Sequence, residues 1–282
     1  MGMIAPTPRV MFRNLVDQAV SLAASSAADG YPVLALQDPQ PTVRWKSTSA
    51  AAQQITATWA LPVAATCLIL HNHNLTYRGQ VSVISGGVRQ DYPAWEPIHP
   101  FGQTPFGQTP VGGYPAPAYM RGLAGGHTRI IYLTTPILTN QAVFELTDAD
   151  NPDGYLAVGR IFLGPMMQSP KVFISDHALD WQDKSEVTEL DGGQDMSVLR
   201  KRVRSLDITF ERLPEPFALG ALSDFLAQVG NSVPFFFDPF PFGPGQRRQR
   251  YGMYCRRSAD SEGLSMDGFF RGGTNLVLIE KL

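Results

Sequence analysis

Charge is scarce in this chain. Asp, Glu, Lys and Arg make up 17% of its 282 residues and balance to a formal net charge of −2. Such a balance gives no global attraction to nucleic acid or to an anionic membrane. Cysteine is scarcer still, with two residues, Cys67 and Cys255. Two such distant cysteines, the first within the apolar run Val63 to Leu70, read as buried thiols and not as a disulfide framework. No run of 18 apolar residues occurs, which excludes a membrane-spanning helix. The basic segment and apolar core of a signal peptide are missing at the N-terminus, so export by that route is not expected. Also absent are a Gly-x-Ser-x-Gly elbow, a Gly-x-x-x-x-Gly-Lys phosphate loop and a local Cys–His signature. Catalysis therefore has no sequence signal, and an enzyme acting on cell-wall polymer is a remote option.

Turn formers and aromatics are plentiful. The chain has 26 Gly, 23 Pro, 16 Phe and 9 Tyr, a composition that favours many short strands over long helices. Its length suits two ordinary domains. Residues 1–165 contain 9 basic and 9 acidic residues, and residues 166–282 contain 14 and 16. That shift sets a boundary at Leu163-Gly164-Pro165. A charge-poor surface such as that of the first half is often covered by neighbouring subunits.

Strand candidates in the first half are Ile55–Ala60, Val63–His71, Gln80–Ile84, Arg129–Leu133, Ala142–Thr147 and Tyr155–Leu163, separated by turn clusters such as Asp150-Asn151-Pro152-Asp153-Gly154. Val10 to Ala24 holds a short helix or strand that the pattern does not decide. Six or more strands with little helix argue for a sandwich of antiparallel sheets. Upstream of them, Asp38-Pro39 starts a turn in which the carboxylate can accept backbone N–H groups two residues on. Trp45 then supplies an apolar plate for one end of a core. The spacing of Ala35, Asp38, Thr42, Trp45 and Ser47 resembles the discoidin-like, galactose-binding-like jelly-roll family over residues 12–165. That resemblance implies a scaffold with sugar binding at its loop ends and not a particular reaction.

Residues 92–127 form a long insertion rich in Pro, Gly and aromatics. It contains a perfect tandem repeat, Phe101-Gly102-Gln103-Thr104-Pro105 and Phe106-Gly107-Gln108-Thr109-Pro110, with Trp95, Tyr114 and Tyr119 around it. Disordered segments tend to be charged and aromatic-poor, so this one reads as an arm ordered against another chain, with Trp95, Phe101, Phe106, Tyr114 and Tyr119 as anchors. The competing reading is a flexible surface loop.

The second half alternates Leu206, Ile208 and Phe210 on one face of a strand within Ser197–Leu213. Helical spacing follows at Leu219, Leu222, Phe225, Leu226 and Val229, with Gly230 as the stop. Val233 to Pro239, Tyr251–Arg257 and Asn275–Lys281 complete a sheet, which gives an α+β sandwich with one helix. The Gly192-Gly193 turn, Arg-rich strand, helix and apolar strand ending in Asp-Pro are similar to the core domain of distal-tail and tail-tip proteins of long-tailed bacteriophages. This second resemblance implies a virion component of the tail tip or baseplate, made in the host cytoplasm. It would form a ring with copies of itself and contact other phage tail proteins such as tube, hub and fibres.

Several clusters invite a site. His71 and His73, at i and i+2 on a strand, suit two metal ligands, but a third ligand and a supporting carboxylate are not in register, and a strand terminus is the better reading. Asp148, Asp150 and Asp153 with Asn151 offer oxygen ligands for calcium, yet lack the EF-hand spacing and read as a hairpin turn. Asp176, Asp180 and Asp183 are equally loose. No cofactor or metal is expected. Arg200, Arg202 and Arg204 would share one face of a strand, and Arg247, Arg248, Arg250, Arg256 and Arg257 add further positive charge. On charge grounds alone, such a row also reads as a nucleic-acid stripe. An inter-subunit ladder with Asp195, Asp207, Glu211 and Glu215 is favoured, because Arg forks suit carboxylates. The leading expectation is a structural tail protein. A carbohydrate-binding module for host-surface glycan, using Trp95 and the 101–119 loop, is the alternative.

Overall fold

A computed structural model of the chain describes residues 7–40, 42–96, 128–168, 173–189, 194–200, 202–241, 245–266 and 271–281. Strands β1 (Arg9–Met11), β2 (Ser21–Ala24) and β3 (Trp45–Lys46) are short, and β4 (Gln53–His73) is long. A hairpin of β5 (Gln80–Ser85) and β6 (Val88–Pro93) precedes the long β7 (Thr128–Thr147) and then β8 (Ala157–Gly164). Next come β9 (Met167–Gln168), β10 (Phe173–Gln182), β11 (Glu186–Glu189), β12 (Asp195–Val198) and β13 (Val203–Pro214). Helix α1 joins Glu215–Phe217, a π-helical stretch Ala218–Leu222 and Ser223–Val229. The chain ends with β14 (Phe235–Asp238), α2 (Gly245–Tyr251), β15 (Met253–Arg257), β16 (Ser265–Met266) and β17 (Arg271–Glu280). The architecture is mainly β with antiparallel pairing throughout, as the composition predicts.

The first sheet runs β3-β8-β4-β7-β5-β6, with β2 added on β4. The paired strand candidates 55–60 and 63–71 turn out to be one strand, β4, and 129–133 and 142–147 are one strand, β7. Register shifts between Thr58 and Val63 and between Ala65 and Cys67 interrupt the alternation, and such bulges bend a strand without ending it. The second sheet runs β10-β13-β17-β15-β14-β1-β9, with β16 on β17. Leu206, Ile208 and Phe210 are buried beneath α1 together with Ala218, Leu222, Phe225 and Val229. Leu219, expected on that face, is instead 55% exposed. The wider π turn shifts the phase of the helix and puts Ala218 inward.

The first sheet ends with β8, and β9 belongs to the second. The N-terminus does not respect that division, because β1 pairs with β14 (Val10↔Phe237) in the second sheet. Between the sheets lies a shared apolar seam of Met11, Cys67, Ile69, Ile130, Phe162, Phe236 and Tyr254. Strand alternation builds it. Leu68 and Leu70 point into the first core while Cys67 and Ile69 face the seam. Phe235 and Phe237 point into the second core while Phe236 faces the seam. β8 faces the first core with Val158, Ile161 and Leu163 and the seam with Phe162, and all 8 of its positions are buried. Cys67 and Cys255 are buried free thiols, as expected.

Candidate functional site

Trp95, expected as an anchor on a neighbour or as a sugar platform, is 2% exposed and belongs to the first core. Its indole donates to Leu75 O at 2.6 Å, so the ring is consumed by the chain's own fold. Tyr92 and Pro93 are the end of β6, so the insertion starts later than residue 92. Phe101, Phe106, Tyr114 and Tyr119 lie outside the described residues.

The arginine row does not form one face. Arg200 precedes β13 and pairs with Glu186 at 2.7 Å, and Arg202 pairs with Asp183 at 3.2 Å, both at the surface. Arg204 alone of the three lies on the strand. It is buried, ion-paired to Glu280 and donates to the carbonyls of Gln249 and Arg250. Each of the three thus has an acidic partner within the chain, and none of these partners is one of the four carboxylates named for the ladder.

His71 and His73 are both buried in β4. His71 Nδ1 meets Thr128 Oγ1 at 2.7 Å, and its ring packs on Tyr254 at 5.2 Å. Among the described residues no group of three metal-ligating side chains forms. Asn74 follows the end of the strand. Its Oδ1 accepts Ala157 N–H at 2.7 Å, and its Nδ2 donates to Tyr155 O and Asp153 Oδ2. Asp148 accepts from Thr76 N–H, Thr76 Oγ1 and Asn151 Nδ2, and Asp150 pairs with Arg78 at 3.4 Å. These acidic groups serve as loop locks.

The Asn74 bonds to Asp153, Tyr155 and Ala157 are the floor of a surface site which local sequence does not reveal. Lys46 sits on β3, fixed by Ala28 N–H donating to its carbonyl and by pairing with Ala157. Trp45 beside it is fully buried, with Nε1 donating to Ser26 O at 2.9 Å. Two tyrosines flank the ammonium. Lys46 Nζ lies 3.6 Å from the Tyr155 ring centroid and 5.4 Å from that of Tyr31. Each tyrosine follows a glycine in the left-handed region, Gly30 at φ 77° and Gly154 at φ 74°, where a side chain would be strained. Tyr31 is 40% exposed and Tyr155 half-buried. Behind them Ser47 Oγ accepts Leu156 N–H and donates to Ser49 O. The result is a loop end that presents aromatic rings and one cation.

No protein-family model matches the chain, and no curated protein does. Among solved structures, the chain is similar to the family 32 carbohydrate-binding module of C. perfringens NanJ in complex with galactose. Identity there is 10%, TM-score 0.36, and coverage 55% of this chain and 98% of that one. It is also similar to chitosan-binding module 1 of a chitosanase/glucanase from Paenibacillus sp. IK-5, at 14% identity and TM-score 0.35, over 54% of this chain and 98% of that one. The lectin domain of lectinolysin complexed with Lewis B antigen gives 11% identity and TM-score 0.37, over 55% of this chain and 99% of that one. None of these likenesses reaches the level at which function follows from fold.

Proposed function

We propose that this chain is a non-catalytic glycan-binding protein whose loop end around Lys46 receives a sugar residue. One observation carries the reading: Tyr31 and Tyr155 flank Lys46 on a floor already satisfied by internal hydrogen bonds. Aromatic faces suit the C–H face of a sugar ring, and rigid tyrosines lose little entropy when they bind. A floor that needs no further partners is preorganised, which lowers the cost of association. The test is a glycan array followed by titration of any hit. Tyr155→Ala should weaken the hit by at least about tenfold with an unchanged melting temperature. A blank array would sink the reading.

A second reading is assembly of copies of the chain, in the ring expected of a phage tail protein. It rests on the β11–β12 hairpin, which pairs with no other strand among the described residues. Met196 and Val198 there, and Leu199 just after it, are 55%, 49% and 86% exposed. An isolated hairpin is marginal in water, and clustered exposed apolar groups favour a contact surface. Sedimentation separates the readings. A defined oligomer that Val198→Lys dissolves would favour assembly, and a monomer that binds glycan would favour the first reading.

A further inference from the structure

We infer that the Lys46 loop end selects sugars that carry a carboxylate. The inference rests on the glycan-binding reading and narrows its ligand. Lys46 and Arg78 both reach the Asp150–Tyr155 turn, and their surroundings differ. Arg78 is already answered, by Asp150 at 3.4 Å and by the Tyr77 hydroxyl at 3.2 Å. Lys46 is not. Among the described residues no carboxylate lies within ion-pair distance of its Nζ, whose contacts are the faces of Tyr31 and Tyr155. Asp153, the nearest acidic residue of the Tyr155 turn in sequence, spends Oδ2 on Asn74 Nδ2 at 3.0 Å.

An ammonium held over aromatic faces keeps N–H donors that the rings do not use. The ring faces partly shield it from water, so an anion placed against it gains more than it would in bulk solvent. Among the described residues the Tyr31 and Tyr155 hydroxyls make no hydrogen bond either, which leaves two further groups for sugar hydroxyls. A neutral sugar would use the rings and hydroxyls but leave the ammonium without a counter-charge. A sugar with a carboxylate uses all three. Hexuronic and sialic residues both have that chemistry.

The experiment titrates the full chain with four probes: an oligogalacturonate, a neutral galactan oligosaccharide of equal length, sialyllactose and lactose. At least one acidic probe should bind about tenfold or more tightly than its neutral match, with the margin shrinking in high salt. The two acidic arms tell a uronic from a sialic carboxylate. Lys46→Gln should erase the margin, the acidic probe falling to the affinity of its neutral match in that same variant, and Lys46→Arg should restore much of it. Equal binding of acidic and neutral members overturns the inference and leaves the glycan reading standing. Binding of no probe, with a blank array, overturns both. The wild-type comparison decides the matter even if a Lys46 variant folds poorly.

Discussion

Tyr132 on β7 reaches across the seam and donates its hydroxyl to Asp238 Oδ2 on β14, at 2.6 Å. Asp238 is fully buried, and burial holds its carboxyl above the usual range in spite of Arg248 at 3.5 Å. Arg248 stacks over the Tyr132 ring at 5.2 Å and also pairs with Glu96, which Arg129 shares. A polar network thus sits beside the apolar seam and joins both sheets. Tyr132→Phe should cost about 1–3 kcal/mol, because it leaves a buried acceptor short of a donor. Asp238→Ala should cost more, since Arg248 then keeps Glu96 alone. Urea unfolding followed by fluorescence and by circular dichroism measures both. The shared seam predicts one coincident transition in the wild type, and two separated transitions would mean that the sheets unfold independently.

Acid should act through His71. Burial pushes its imidazole down to about 3, with Arg204 and Arg160 adding to the effect. Unfolded, the same ring titrates near 6.5. Between those values the unfolded chain binds a proton that the folded chain refuses, so stability rises with pH from about 3 to about 6.5 and then levels. Asp238 opposes this slope, because a carboxyl raised by burial keeps its proton longer in the folded state. The difference between wild type and His71→Gln isolates the histidine. Melting temperatures from pH 4 to 7 should climb less steeply in the variant, and parallel curves would count against this assignment.

Three arginines close in sequence should respond very differently to alanine. Arg204 faces Glu280 inside the second sheet, and removing it strands a buried carboxylate, at about 3–5 kcal/mol. Arg200 and Arg202 hold exposed carboxylates, so their replacement should stay within about 0.5 kcal/mol. Chemical denaturation of the three single variants gives the ranking. Comparable losses at all three would contradict the intrachain assignment of Arg204.

What the sequence made legible was short in range. The alternation of Leu206, Ile208 and Phe210, the spacing of Leu222, Phe225 and Val229, and the Asp38 turn all follow from neighbours along the chain. In that turn Asp38 Oδ1 accepts Gln40 N–H at 2.7 Å. Pairing of Arg9–Met11 with β14 joins segments more than 200 residues apart, and no local pattern encodes it. Helix α2 has no apolar stripe to give it away, being Gly-Gln-Arg-Arg-Gln-Arg-Tyr. Trp95 belongs by sequence to an aromatic series, whereas its place in the first core and its bond to Leu75 O involve residues distant along the chain. The Lys46 site escaped for the same reason. Tyr31, Lys46 and Tyr155 come from three separate loops and strands, and the sole local hint was the Asp150 to Gly154 turn that delivers Tyr155.

Gly154 links that turn to the proposed binding surface. Its φ of 74° lies where an L side chain is strained, while a Cβ built there would meet nothing within 4 Å. The cost of Gly154→Ala is therefore conformational and not steric, about 1 kcal/mol. Asn tolerates the left-handed region better than Ala, so Gly154→Asn should recover part of the loss. Relief of the strain would rotate the backbone that leads into Tyr155, whose carbonyl is held by Asn74 at 2.9 Å. Glycan affinity should accordingly fall for Gly154→Ala by more than for Gly154→Asn, in the same order as the melting temperatures. If Gly154→Ala melts earlier yet binds glycan as wild type does, the placement of Tyr155 by this turn is not what sets recognition.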